Sequence, residues 1–276
     1  MRFNYGVMQG RLSKKIGNKI QAFPHKNWKS EFNKAKKLGL TTIEWTLDYK
    51  NLKKNPIFFK SGQSKIKQLS KKNSIKVNSL TGDCFMQKPF WKFKNNKRLI
   101  NDLKDIIYCS KKVGVEFIVV PLVDNGSITN LTQKKNLIKI CNEIKSDLKK
   151  TGTKLVFESD FPPLKLKKFI MEFDTKYFGI NYDTGNSAAL NYNMDLEFKS
   201  YGKYIYNIHI KDRIKHGNTI RLGNGNTNFN KLYKNLKKLK YKRNLILQTA
   251  RSKNNQHMNE IKINLTYLSS IHNEKK

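Results

Sequence analysis

Along the whole chain, short apolar runs alternate with longer stretches in which apolar residues recur every three or four positions. Eight of the short runs are rich in β-branched and aromatic residues and predict buried parallel strands at 3–8, 42–45, 75–79, 115–120, 154–158, 178–182, 205–209 and 244–248. The longer stretches predict helices. Trp28, Phe32, Ala35 and Leu38 fall on one helical face, and Gly39 follows as a left-handed stop. The same arrangement recurs at 99–112 before Gly114 and at 137–150 before Gly152. Leu232, Leu236 and Leu239 mark a further helix, and Ile261, Leu265 and Leu268 the last. Strand and helix units that follow one another without a linker, joined by right-handed crossovers, predict an α/β fold closed as a (β/α)8 TIM barrel. That single domain is expected over residues 1–271, with a polar tail at 272–276. A doubly wound open sheet would want a glycine-rich phosphate turn after its first strand, and Met8-Gln9-Gly10-Arg11-Leu12 is not one.

Composition narrows the class further. At 276 residues and 38% apolar content, the chain can bury one large core. It contains no stretch of 18 apolar residues, and the run over 115–123 is interrupted by Glu116 and Pro121. Met1-Arg2-Phe3 does not begin a signal-peptide pattern, so a soluble, cytoplasmic protein is expected. Cys84, Cys109 and Cys141 lack zinc-ligand spacing and read as free thiols. The net charge of +36 suggests polyanion binding, yet only seven of the 56 basic residues are arginine, and the lysines are spread throughout. That pattern implies weak, salt-dependent affinity for polyanions and no specific nucleic-acid partner. Assembly into a homo-oligomer stays open.

In a barrel of this kind, catalytic groups project from the C-terminal ends of the strands. Those ends offer Gln9 and Arg11, Glu44 and Asp48, Asp83, Glu158 and Asp160, Asp183 and Asn186, His209 with Lys211, Asp212 and Arg213, and finally Gln248 and Arg251. Glu158, Asp183 and His209 come from three successive strands and form a mixed oxygen and imidazole set. Such a set suits a divalent ion, Mn2+, Mg2+, Co2+ or Zn2+, with positions left open for substrate oxygens. A lone strand-end histidine is usually structural, and an Asp before Thr-Gly commonly forms a turn. Several ionisable groups crowded into one cleft are different, being costly unless paired or metal-bound.

Glu158 in Leu-Val-Phe-Glu-Ser, Asp183 in Asn-Tyr-Asp-Thr-Gly-Asn and His209 in His-Ile-Lys-Asp-Arg resemble signatures of the xylose isomerase-like barrel superfamily. The closest match is its sugar (phosphate) isomerase and epimerase branch, and the resemblance runs from Met8 to Arg251. It implies Glu158, Asp183 and His209 as metal ligands, a fourth ligand at Gln248 where the family carries Glu, and a small sugar or sugar-phosphate substrate. It also implies Glu158 as the catalytic base. Glutamine can offer a carbonyl oxygen to a metal but has no titratable proton. One-base isomerisation through an enediolate is therefore expected over two-base epimerisation, with dehydration and retro-aldol chemistry also compatible. Gln9, Arg11, Glu44, Asn186, Lys211, Arg213 and Arg251 are expected to bind substrate. The arginines favour an anionic sugar, unless they only brace loops against Asp48 or Asp212.

Trp45, Phe85, Phe90 and Trp91 read equally as stacking platforms or core, and the 222–226 loop as a site-closing segment or a plain turn. Two other functions stand beside the first. An abasic-site DNA endonuclease-like protein would need a histidine-rich multi-zinc site. The five histidines, 25, 209, 216, 257 and 272, with Ser79 and Pro121 at the third and fourth strand ends, do not suggest one. A catalytically reduced barrel acting as a binding protein is suggested by Gln248.

Overall fold

The alternating runs do close on themselves. In a computed structural model, which describes residues 3–17, 19–252 and 254–273, the strands are β1 Asn4–Met8, β2 Thr42–Thr46, β3 Ser79–Thr81, β4 Phe117–Leu122, β5 Lys154–Ser159, β6 Phe178–Asp183, β7 Ile205–Ile210, β8 Asp212–Arg213, β9 Thr219–Ile220 and β10 Asn244–Leu247. Eight of them form one closed barrel in the order β1-β10-β7-β6-β5-β4-β3-β2, and β8 and β9 pair as a small antiparallel ribbon just beyond β7. The helices are α1 Trp28–Lys37, α2 Lys60–Asn73, α3 Asp83–Gln87, α4 Lys97–Val113, α5 Leu131–Glu143, α6 Lys145–Thr151, α7 Pro163–Ile170, α8 Thr184–Ala189, α9 Met194–Tyr201, α10 Phe229–Lys238 and α11 His257–Asn273. None of those described is long and apolar enough to cross a membrane.

Boundaries depart from the sequence expectation where the backbone has other partners. β4 starts at Phe117 because Val115 still donates to Ser110 in the turn that ends α4, where Gly114 has φ +94°. Strand three was expected over 75–79, yet ladder pairing begins at Ser79, with only a bridge from Lys76 to Thr42 before it. The Asn78 carbonyl receives both the Glu116 and Phe117 amides, so the ladder slips at that point. The helix expected over 137–150 divides at Ile144, where ψ is 0°. α11 runs on to Asn273, into the expected polar tail, and the His272 ring packs edge-on against Phe3 at 5.3 Å. Cys84, Cys109 and Cys141 are free thiols.

The pleat sends alternate residues to opposite faces. On β5, Leu155 and Phe157 point out into the helix-covered core, while Val156 and Glu158 point into the barrel. Val156, Phe117 and Val119, with Tyr206 against them, form a separate apolar cluster that floors the interior. Phe157 stacks 6.0 Å from Phe178 and meets Phe169 and Phe173, which fixes β5 under Glu158. Phe157→Ala is expected to lose about 3–5 kcal/mol of stability, the usual range for a fully buried phenylalanine. Urea unfolding measures this directly; a loss under about 1 kcal/mol would show that the aromatic cluster does not anchor the strand.

Candidate metal centre and active site

The inward-facing ends of β5, β6 and β7 bring Glu158, Asp183 and His209 together, with one ligand atom from each lying within 4.8 Å of the others. His209 Nδ1 is 3.0 Å from Glu158 Oε2 and 4.0 Å from Asp183 Oδ2. The other ring nitrogen, Nε2, is 2.7 Å from Glu44 Oε1. Glu44 was expected to touch substrate; instead it is wholly buried beneath the centre and does not line the cavity. Thr81 Oγ1 and Asn207 Nδ2 donate to its two oxygens at 2.6 and 2.7 Å. Asn207 also donates to Asn181 Oδ1, and Asn181 Nδ2 donates to Glu158 Oε2 at 2.8 Å. Glu44, Asn207, Asn181 and Glu158 thus encircle the imidazole. Sequence reasoning missed both asparagines. Their signal was spacing, since Asn181 and Asn207 stand two residues before Asp183 and His209 and so share their face of the strand.

Burial opposes charge on the His209 ring, but the carboxylates of Glu44 and Glu158 outweigh it and raise the ring to about 10. Burial likewise pushes both carboxyls upward, yet the His209 charge prevails and holds Glu44 and Glu158 below the usual carboxylate range. The ring thus lies between two carboxylates that favour its charged form, with Asn181 Nδ2 3.0 Å from Nδ1.

Each residue of Asp183-Thr184-Gly185-Asn186 has a distinct part. Asp183 Oδ1 accepts from the Asn186 backbone and caps α8, which turns Oδ2 towards Lys211 Nζ at 2.6 Å. Thr184 Oγ1 locks onto the Lys211 backbone, accepting from its N–H and donating to its carbonyl. Gly185 leaves room for the Lys211 stem, because a Cβ there would come within 2.7 Å of its Cγ. Asn186 Nδ2 donates to Glu158 Oε1 at 2.9 Å, and its Oδ1 accepts from Arg213 Nη1. Lys211 is thus an ion-pair partner of Asp183, and Asn186 a clamp on Glu158.

Above the centre opens a cavity of about 1490 Å³, lined by Glu158, Asn186, Lys211, Arg213, Gln248, Arg251 and Arg11 among others. Gln9, expected at the substrate, is not among them; its side chain is buried and accepts from the Thr46 backbone. The three arginines pair with no carboxylate among the described residues. Arg213 forks onto the Gly217 carbonyl, Arg251 bonds the Gly10 and Ser13 carbonyls, and Arg11 bonds the Ile20 carbonyl and Gln21. Asp212 is occupied by the 222–226 loop, accepting the amides of Gly223, Gly225 and Thr227, and that loop brings Asn224 to the cavity wall. Trp45, Phe85, Phe90 and Trp91 line none of it and pack on one another and on Phe23 and Trp28 in the core.

A family profile described as xylose isomerase-like TIM barrel matches residues 32–270. The chain belongs to that family. No curated protein matches it by sequence. Among solved structures, a xylose isomerase domain protein from Planctomyces limnophilus superposes with TM-score 0.79 at 13% identity, covering 99% of this chain and 98% of that one. The 3-keto-D-glucoside 4-epimerase YcjR of E. coli gives TM-score 0.73 at 17% identity, covering 98% and 100%. IOLI, solved with a bound zinc atom, gives 0.74 at 14%, covering 97% and 98%. At these identities the likeness is one of fold.

The residues of this xylose isomerase-like barrel fit a divalent ion on their own chemistry. Three negatively charged or imidazole donors converge, and Gln248 Oε1 is buried at the cavity with no hydrogen-bond donor among the described residues, as a carbonyl that could meet a cation would be. Glu44, 2.7 Å behind His209 Nε2, stands where a carboxylate partner would fix the ring's orientation were the ring to ligate an ion.

Because His209 stands at about 10 when folded and 6.5 ordinarily, its pairing stabilises the metal-free protein fully below about pH 6.5. That contribution is lost as pH rises through about 10. Unfolding in the presence of a chelator should therefore show stability falling across this window more steeply than in a His209→Asn variant, and parallel curves would contradict the pairing. Glu44→Gln is expected to weaken Mn2+ binding about 10–100-fold by calorimetry. Unchanged affinity would show that Glu44 does not orient the ring.

Proposed function

We propose that this protein is a divalent-metal-dependent isomerase of a small sugar or sugar phosphate, with Glu158 as the base. The observation that carries this reading is the convergence of Glu158, Asp183 and His209 at the open end of the barrel, beside a glutamine at 248 that has no proton to exchange. Glu158, Asp183, His209 and the Gln248 carbonyl would hold the ion, Mn2+, Mg2+, Co2+ or Zn2+, and bound there it supplies Lewis-acid stabilisation of charge on substrate oxygens. The fold is shared with an E. coli sugar epimerase and a zinc-bound protein, which supports sugar isomerase or epimerase chemistry and a bound metal at that coarser level.

The chain's own residues supply the proton chemistry. In the metal-free protein, burial raises Glu158, but His209, Lys211 and Asn181 outweigh it and hold the carboxyl below its usual range; a dication bound there would favour the same carboxylate form. Glu158 removes the proton next to a carbonyl, giving an enediolate, or an enediol where the oxygen is protonated, and returns the proton to the neighbouring carbon. Asn181 and Asn186 grip its two oxygens separately, which limits its motion to what that transfer needs. The cavity wall carries seven basic side chains, Arg11, Lys15, Lys19, Lys211, Arg213, Arg221 and Arg251, against four acidic ones, Asp83, Asp124, Glu158 and Glu260. That excess favours an anionic sugar.

A thermal-shift screen of phosphorylated and neutral sugars with Mn2+ identifies the ligand, since binding to the native state alone raises the melting temperature. With the sugar so found, Glu158→Gln should lower turnover by about 10²–10⁴-fold while the variant still melts cooperatively. Turnover at the wild-type rate would remove Glu158 from the chemistry, and a protein that takes up no divalent ion by calorimetry would remove the metal.

A further inference from the structure

Asp83 stands out among the buried carboxyls around the cavity by how little holds it. Glu31, Glu44, Asp48, Glu158 and Asp183 each meet two or more donors or cations from the described residues. Asp83, which follows β3 and lines the same cavity as Glu158, accepts one hydrogen bond, from Gln21 Nε2 to Oδ2 at 2.7 Å. No cation pairs with it among the described residues. An almost wholly buried carboxyl with a single neutral donor is costly in its charged form, and such groups gather where protons are moved.

Gln21 also ties Asp83 to the residue at which this chain departs from its family. Gln21 Oε1 accepts from Arg11 Nη2 at 3.2 Å and from Gln248 Nε2 at 3.4 Å. A carboxylate at 248 could not make that donation, whereas an amide can. The chain that lacks a proton at 248 therefore places a carboxyl one side chain further along the same network.

We propose that Asp83 is the second proton carrier of the site, serving the substrate's oxygens while Glu158 serves its carbons. The proposal rests on the isomerase reading above. Asp83 in its acid form gives its proton to the carbonyl oxygen as Glu158 takes the adjacent C–H proton and the C=O electron pair moves onto that oxygen. The enediol's other hydroxyl then returns a proton to Asp83 as the new carbonyl forms, and Glu158 hands its proton to the first carbon. Both residues end as they began, and no outside oxidant or reductant is needed. In the metal-free protein, burial, with the charges of Asp48 and Glu158 and against the pull of Gln21 and Arg11, raises the Asp83 carboxyl to about 7.

Asp83→Asn keeps an acceptor for Gln21 but cannot carry a proton. The test follows the Mn2+-loaded enzyme by NMR in D2O on a panel of ketoses, aldoses and their phosphates, scoring C–H exchange separately from conversion to the isomer. Asp83→Asn is expected to lower conversion by about 100-fold or more, with KM and residual exchange at Glu158 retained. Conversion within about tenfold of wild type overturns the role of Asp83 alone. Loss of neither exchange nor conversion in Glu158→Gln, or a wild type that converts nothing on the panel, overturns the isomerase reading and the inference with it. A substrate-free measurement stands beside this one. Carbon-13 NMR of aspartate carboxyls in the metal-loaded protein should show one resonance titrating near neutrality that Asp83→Asn lacks, and its absence from the wild type overturns the acid role.

Discussion

His209 lies fully buried inside the barrel, with Glu44 Oε1 2.7 Å from one ring nitrogen and Glu158 Oε2 3.0 Å from the other. Neither carboxylate could be afforded there alone, because burial raises both, and the ring would lose its proton without them. The three groups hold one another in their charged forms. Around them the arrangement is one of satisfaction: Thr81 and Asn207 complete Glu44, and Asn181 and Asn186 complete Glu158. Removing any one of these donors would leave a buried charge short of a partner, which is why the polar interior behaves as a unit.

The barrel supports that unit by closure. Parallel strands paired in register set His209 beside Asp183 on one side and Ile246 on the other, so the height of the ring is fixed by neighbours on both flanks. The outward faces, such as Phe157 against Phe169, Phe173 and Phe178, bury enough apolar surface to hold strands whose inward faces are polar. Below the charged layer, Val156, Phe117, Val119 and Tyr206 close the interior, so the cavity opens at the C-terminal strand ends.

The convergence of Glu158, Asp183 and His209 was legible in the sequence because they sit at strand ends within short, patterned segments, and the period-two alternation fixes their direction. What was not legible depends on pairs far apart along the chain. Glu44 looked like a substrate contact, and only its meeting with His209, 165 positions away, shows it to be a support. Gln9 pointed the same way and is buried against Thr46. Asn181 and Asn207 carried a readable signal that was obscured by the more reactive residues beside them. The aromatics after the second and third strands could be core or platform on sequence alone, and three-dimensional packing decided for core. Asp83 was noticed only as a strand-end carboxyl, because its isolation is a property of what surrounds it.

The charges at the centre would let one set of residues stand both without a metal and with one. Glu44, Glu158 and Asp183 bring three negative charges, against which the metal-free protein sets the His209 proton and the Lys211 ammonium. That leaves one negative charge uncompensated in a buried place. Nδ1 lies on the side of the ring that faces Glu158 and Asp183, so a divalent ion taking those ligands would replace a proton there while Nε2 keeps its hydrogen bond to Glu44. Exchange of one proton for a dication changes the local sum from about −1 to about 0, which favours uptake without asking the surrounding shell to rearrange. Lys211 is the adjustable member of this balance. Its flexible stem passes over Gly185, and it can leave Asp183 Oδ2 to an ion while its own charge stays at the cavity wall, where an anionic substrate would meet it.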